Sequence, residues 1–358
     1  MKKLASLILV LMMVLTLVPA FAEGERVAVI CDPVGNNLFL TQAVDMAKNL
    51  QETYGYTVSI MECSDTDEWQ SNYRAAVAEG YDLIIGVGWQ SGALANELAT
   101  EYPDAAAYAV IDTDAGNDSV MSISYNEEQA AYLMGVMAGL CFPEDDLYGY
   151  VGCFDGAGSF KYRWGFAEGV KSINPDAKFI FNFTNSYSDT SIAYEFAKQH
   201  AAAGATYIFG GAAACNEGIF QAALELAETG TKIYSIAQDA DATTPDNPYI
   251  LSAQLKNTGV SAGYVIESFL NDTMTMGLTE QKLVDGAIGA THITNPGAYL
   301  NNEILTEEVI ANCQAVVEKI TSGELVLNMP ASEADYTFYS FPPLIRPALW
   351  SFSKGLGL

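Results

Sequence analysis

A short apolar run followed by a stretch with helical spacing recurs along this chain, and the series is completed once and then restarts. Val27–Cys31, Thr57–Glu62, Leu83–Val87, Ala107–Ile111 and Val120–Tyr125 are the first set of apolar runs. Between them, Leu40–Tyr54, Trp69–Glu79 and Ala93–Thr100 carry apolar residues at helical intervals. After a helix over Gln129–Leu140 come Tyr150–Cys153, Lys178–Phe183, Thr206–Phe209, Lys232–Ala237 and Tyr249–Gln254. Helices are expected at Phe160–Ser172, Ser191–Ala203, Gly218–Glu228 and Gly259–Leu270, with a last one at Thr306–Thr321. Strands that are short and continuously apolar are buried on both faces, which fits parallel sheets covered by helices. Two α/β halves follow. No Pro/Ser-rich linker separates them, so several close-packed crossovers are expected rather than a tether.

Composition removes other classes. The chain has 44 acidic against 16 basic side chains and a formal charge of −28, which repels a phosphate backbone; no nucleic-acid partner is expected. Half the residues are hydrophobic and 11% aromatic, enough for a large core and unlike a disordered chain. Residues 1–22 read as a secretory signal: Lys2 and Lys3, an apolar Leu4–Pro19, then Ala20-Phe21-Ala22 with small residues where a signal peptidase cuts. The apolar run is short for a membrane span. Cleavage after Ala22 and export to a periplasmic or extracellular location are expected. Cys31 is too far on for a lipid-bearing cysteine. The six cysteines, at 31, 63, 141, 153, 215 and 313, form no CxxC pair, and two histidines cannot complete zinc spacing, so no metal is expected. Buried free thiols are the expectation, and His200 and His292 read as surface or loop residues.

Ligands of such sheets sit at the carboxyl ends of strands, and those ends are chemically rich here. They run into Asp32-Pro33-Val34-Gly35-Asn36-Asn37-Leu38-Phe39, Gly88-Trp89-Gln90, Asp112-Thr113-Asp114, Asn185-Ser186-Tyr187-Ser188-Asp189, Gln238-Asp239-Ala240-Asp241 and Leu255-Lys256-Asn257. Carboxylates, amides, rings and a lysine suit a pocket that stacks a flat ring and hydrogen-bonds a polyol. Plainer roles compete. Phe39 can be core, Trp89 a strand cap, Asp112 and Asp239 turn formers and Lys256 a solvated lysine, while Asp189 reads as a helix N-cap. No GxSxG elbow or GxxxxGK[ST] loop is present, so no enzyme and no cofactor is expected.

From Val27 to Met329 the chain resembles the basic membrane protein family of substrate-binding proteins, the purine-nucleoside receptors of ABC importers. The resemblance rests on Asp32 followed by Leu38-Phe39-Leu40, Gly86-Val87-Gly88-Trp89, Ile111-Asp112, Tyr132-Leu133-Met134-Gly135, Gly165-Phe166-Ala167-Glu168-Gly169, Ser186-Tyr187-Ser188-Asp189, Asp239-Ala240-Asp241 and Lys256. It implies an α/β, type I periplasmic-binding-protein fold: two Rossmann-like lobes with a ligand cleft between them. The crossovers would lie near Tyr125-Asn126, Lys256-Asn257 and Asp285-Gly286. One lobe would take 23–125 with 257–285, the other 126–256 with 286–335, leaving 336–358 as an aromatic extension that packs on one lobe or crosses the hinge. In the family two rings sandwich the base and an aspartate and a lysine hold the ribose. The matching residues are Phe39 and Tyr187, then Asp239 and Lys256, with Asp32, Asn36 and Asn37 at the base edge and Trp89 and Asp112 nearby. The first loop is two residues short of the family pattern, Leu40 replaces an asparagine and Ala242 a glutamine, so polar contacts to the base are fewer. The implied partners are a small-molecule ligand, a purine nucleoside first, and a membrane ABC permease, with the protein a monomer. A binder of another flat or sugar-like solute, a ligand-sensing subunit of a membrane receptor and, last, a secreted hydrolase are the alternatives.

Overall fold

The computed structural model describes residues 24–35, 37–295 and 297–336. The signal segment 1–22, Asn36 and the aromatic residues beyond Tyr336 lie outside the described residues.

Two six-stranded sheets form the frame. The first contains β1 (Arg26–Cys31), β2 (Thr57–Glu62), β3 (Leu83–Val87), β4 (Ala107–Ile111), β5 (Met121–Tyr125) and β11 (Gly277–Gln281), in the spatial order β11-β5-β4-β3-β1-β2. The second contains β6 (Leu147–Gly152), β7 (Lys178–Phe183), β8 (Tyr207–Gly211), β9 (Tyr234–Asp239), β10 (Ile250–Lys256) and β12 (Ile288–Ala290), in the order β12-β10-β9-β8-β6-β7. The two orders are the same arrangement repeated, so β4 corresponds to β9 and β5 to β10. All pairings are parallel except β10 with β12. Every residue of β3 and β10 is buried, as the continuous apolar run of β3 requires and with Ser252, Gln254 and Lys256 buried in β10, whereas edge strand β2 is open at both ends.

Helices α1 (Leu38–Tyr54), α2 (Thr66–Ala78), α3 (Ser91–Glu101) and α8 (Thr258–Leu270) cover the first sheet; α4 (Glu127–Cys141), α5 (Ala157–Lys171), α6 (Thr190–Ala202), α7 (Asn216–Glu228), the short α9 (Thr291–Thr294) and α10 (Glu307–Thr321) cover the second. The chain passes between the sheets three times: at Asn126, at Asn257, and between Gln281 and Ile288. Among the described residues no helix is long and apolar enough to cross a membrane.

Local chemistry sets several boundaries that periodicity misses. α1 begins at Leu38, two residues before its apolar pattern, because the Asn37 side chain accepts a bond from Phe39 N at 3.1 Å. α2 begins at Thr66 because Asp65 accepts from Glu68 N at 2.9 Å, and Ser64 N, one residue before the cap, donates to the Glu68 carboxylate at 2.6 Å. Asp189 caps α6 through Ser191 N, as its place in the sequence suggests. The motifs around Gly135 and Gly165–Gly169 have a packing cause. A Cβ on Gly135 would lie 2.2 Å from the Phe166 carbonyl oxygen, and one on Gly169 2.1 Å from that of Tyr132. The axes of α4 and α5 therefore approach to backbone contact, which only glycine permits.

One expectation is corrected. His200 and His292 are buried rather than on the surface. His200 fits under Gly149, where a Cβ would stand 2.4 Å from its Nδ1, and its Nε2 meets Asn182 Oδ1 at 2.7 Å. His292 Nδ1 meets Ser252 Oγ at 2.7 Å. Burial pushes the two imidazoles down to about 3 and about 4, so both are neutral. All six cysteines are free thiols, four of them buried. The start of the aromatic tail packs on one lobe: Tyr336 rests against Phe160 and donates and accepts bonds with Glu168 and Lys171 of α5.

Candidate ligand cleft between the lobes

The carboxyl ends of the two sets of strands face one another, and Lys256, the last residue of β10, lies at their junction. Its ammonium is buried. It donates to Asp112 Oδ1 at 2.8 Å and pairs with Glu127 Oε1 at 3.0 Å. Lys161 of α5 extends the chain of charges, reaching Glu127 Oε2 at 2.9 Å and the Tyr125 carbonyl at 2.8 Å. The rings of Tyr125, Phe39 and Tyr162 stand 5.3, 5.5 and 5.6 Å from the Lys256 nitrogen, within cation–π range. Burial alone would discharge Lys256. Asp112, Tyr162, Glu127 and Asp239 around it outweigh that and hold its pKa well above the ordinary lysine value. Glu127 is the mirror case: burial raises it, and Lys256 with Lys161 pull it below the usual carboxylate range.

Asp112 follows β4 and Asp239 ends β9, so the two acids occupy corresponding places in the repeated arrangement. Both have left-handed backbones, φ +75° and +69°. That conformation is uncommon for non-glycine residues, tolerated by aspartate and concentrated at functional sites. Asp239 is buried, and its Oδ1 has no hydrogen-bond partner among the described residues. Burial pushes its carboxyl up to about 7, with Lys256 opposing and Asp112 and Glu127 adding.

At the rim, Trp89 is 64% exposed and donates its indole N–H to the Tyr187 hydroxyl at 3.2 Å across the cleft. Phe154 braces Tyr187 edge-on at 5.0 Å. Trp89, rather than Phe39, is the ring that reaches Tyr187; Phe39 sits deeper, half-buried on the first turn of α1. Asp32 is already engaged within its own lobe, accepting from Trp69 Nε1 at 2.9 Å and Gln90 Nε2 at 2.7 Å. Asn37 spends its carbonyl on the α1 cap. Asn36 lies outside the described residues. A narrow cavity of about 60 Å³ runs between the start of α1 and the ends of β8 and β9, lined by Phe39, Asn216, Gln238 and Asp239 among others. A larger depression of about 450 Å³, with Glu25, Asp82, Asp104 and Asp272 on its walls, lies away from the strand carboxyl ends.

Sequence reasoning missed Glu127, Lys161 and Tyr162. Lys161 carried a usable signal, because any basic residue in so acidic a chain is scarce. Glu127 and Tyr162 carried none, since a first-turn glutamate and an aromatic on a helix are ordinary.

Two α/β lobes with polar and aromatic side chains converging between their strand ends define a two-lobed solute-binding protein. The sequence model of the Bmp family, the PnrA-like ABC transporter substrate-binding proteins, matches residues 26–329, and the chain belongs to that family. An uncharacterised lipoprotein of Pyrococcus abyssi is 25% identical over 351 residues, covering 88% of this chain and 87% of its own. The ABC transporter nucleoside-binding protein BmpA of Lactococcus lactis is 22% identical over 273 residues, 73% of this chain and 74% of that one. A CD4+ T-cell-stimulating antigen of Listeria innocua is 29% identical over 202 residues, where the match spans 56% of this chain and 55%, about half, of the relative. In fold, an ABC transporter solute-binding protein from Aeropyrum pernix superposes with a TM-score of 0.74 at 23% identity, over 87% of this chain and 95% of that one.

Proposed function

We propose that this protein captures a purine nucleoside between its lobes and delivers it, in the closed form, to an ABC permease. The observation that carries the reading is Asp239: a buried carboxylate with an unpartnered oxygen, beside a lysine ringed by aromatic groups. A carboxylate accepts hydroxyl hydrogens of a sugar in strong, charge-assisted bonds, and rings offer a face to a base, worth about 1–3 kcal/mol per stacked base. The nucleoside-binding description of the Lactococcus lactis relative supports the same ligand class.

In this reading Asp239 holds ribose, Lys256 and Asp112 set the charge beside it, and Phe39, Trp89 and Tyr187 enclose the base. Asn37 stands at the base edge, the place the family resemblance implies for Asn36 too, and Asp32 fixes Trp69 and Gln90 behind it. The lobes comprise 23–125 with 257–285, and 126–256 with 286–335, preceded by a cleaved signal over 1–22 and followed by the 336–358 extension. Contacts from one lobe to the other (Lys256 to Asp112, Trp89 to Tyr187, and Gln42 to the carbonyls of Asp239 and Lys256) hold the closed state. A ligand that adds contacts in that state alone shifts the population towards it.

Thermal shift against purine nucleosides, free bases and monosaccharides tests this. A nucleoside at 100 times its Kd stabilises the native state by about 2.7 kcal/mol. A shift with a monosaccharide and none with any nucleoside or base would overturn the purine assignment.

A further inference from the structure

Tyr162, on α5, is buried, yet its hydroxyl has no hydrogen-bond partner among the described residues. A buried tyrosine hydroxyl normally finds one, because an orphaned polar group forfeits its hydration without return. The ring is fixed: it packs edge-on against Phe209 at 6.3 Å and lies 5.6 Å from the Lys256 ammonium. Its neighbours on the helix turn elsewhere, Lys161 to Glu127 and Arg163 to Asp155 and Glu333. Lys256 itself is engaged by two carboxylates. Beside Lys256 there are thus two orphaned atoms of opposite character, a phenol O–H that can donate and the Asp239 Oδ1 that can accept.

We infer that Tyr162 contacts the ligand and sets specificity: a single alcohol of the bound solute accepts from the Tyr162 hydroxyl and donates to Asp239 Oδ1. An alcohol is the group that does both at one atom. An ether oxygen cannot donate, and a deoxy position leaves both protein groups unsatisfied, the arrangement by which a site rejects an analogue lacking one hydroxyl. The inference rests on the nucleoside reading of the cleft and narrows it to nucleosides that carry that one hydroxyl.

Tyr162→Phe removes the one oxygen and keeps the ring. Titration calorimetry with guanosine and its 2′-, 3′- and 5′-deoxy analogues tests the pairing. The unmodified protein should bind one analogue at least about tenfold more weakly than guanosine. Tyr162→Phe should weaken guanosine about 3- to 10-fold, as expected for one lost neutral hydrogen bond, and shrink the penalty for that same analogue to about twofold. The melting temperature without ligand should not fall, because no protein partner is lost. Unchanged guanosine affinity, equal weakening of every analogue, or a lower ligand-free melting temperature overturns the role of Tyr162 while leaving the nucleoside reading intact. Failure of the unmodified protein to bind any nucleoside overturns both.

Discussion

Replacing Lys256 by methionine isolates the charge at the junction of the lobes, because methionine retains most of the apolar stem. The substitution leaves Asp112 and Glu127 without the ammonium that stands 2.8 and 3.0 Å away. Glu127 keeps Lys161 at 2.9 Å, so the unpaired charge falls mainly on Asp112. Breaking a buried pair from one side costs about 3–5 kcal/mol, because the other ion stays behind. The Asp112 side chain is 21% exposed, which places this case at the lower end, about 3 kcal/mol. With about 2.1 cal/mol/K of unfolding entropy per residue over roughly 300 residues, Tm falls by about 5 °C at pH 7.5. The sign of the pH dependence follows. Without the cation, Asp112 and Asp239 hold their protons to higher pH than in the unfolded chain, and their neutral forms carry no unpaired charge. The deficit of the variant therefore shrinks as pH falls from 7.5 towards 5. Differential scanning calorimetry at both pH values reads it. A loss under about 1 °C at pH 7.5, or one that persists undiminished at pH 5, would refute the view that Lys256 neutralises buried carboxylates.

Three further outcomes are expected. A ligand hydroxyl donates best to ionised Asp239, whose carboxyl titrates near 7; nucleoside affinity should rise about tenfold from pH 6 to pH 8, and Asp239→Asn should flatten the profile, which calorimetric titration across pH would show. In the ligand-free protein the same group acts in the opposite sense: the native state keeps a proton that the unfolded chain releases near pH 4, so its contribution to stability declines between about pH 4 and 7. Gly169→Ala places a methyl 2.1 Å from the Tyr132 carbonyl oxygen and should destabilise by about 1–3 kcal/mol or more in urea denaturation; a neutral result would mean that α4 and α5 can part without loss. Trp89→Phe removes the indole N–H to Tyr187 and keeps a ring at the rim; stopped-flow release of a nucleoside should accelerate several-fold, and an unchanged rate would deny the rim bond any part in closure.

Strands were the most legible part of the fold, because strands covered by helices are mostly apolar. β2, β3, β4 and β7 have the bounds that their apolar runs announce. β11 was invisible: Gly277-Leu278-Thr279-Glu280-Gln281 is an edge strand, exposed at alternate positions, with no apolar run. β12, three residues long, is too short for any period to register. Reading by apolarity also stops short where a strand ends in chemistry. β9 and β10 continue to Asp239 and Lys256, so these residues are strand ends pinned by the ladder rather than loop residues. The chemical character of the strand ends was legible, but not which groups meet. The Trp89–Tyr187 bond and the Lys256–Glu127 pair join residues about 100 or more apart in the chain, and nothing local encodes a contact of that kind.

The three passages of the chain between the sheets govern the order in which this protein can be finished. The core of the first lobe includes Ala262, Val265 and Ile266 of α8, and its sheet closes with β11 at 277–281. The second lobe draws on β12 at 288–290 and on Val309 and Cys313 of α10. A chain emerging from the ribosome therefore completes neither lobe until its last quarter is available, however early the first five strands appear. A cut at Asn126 would separate the first sheet from β11 and from the α8 side chains that fill its core.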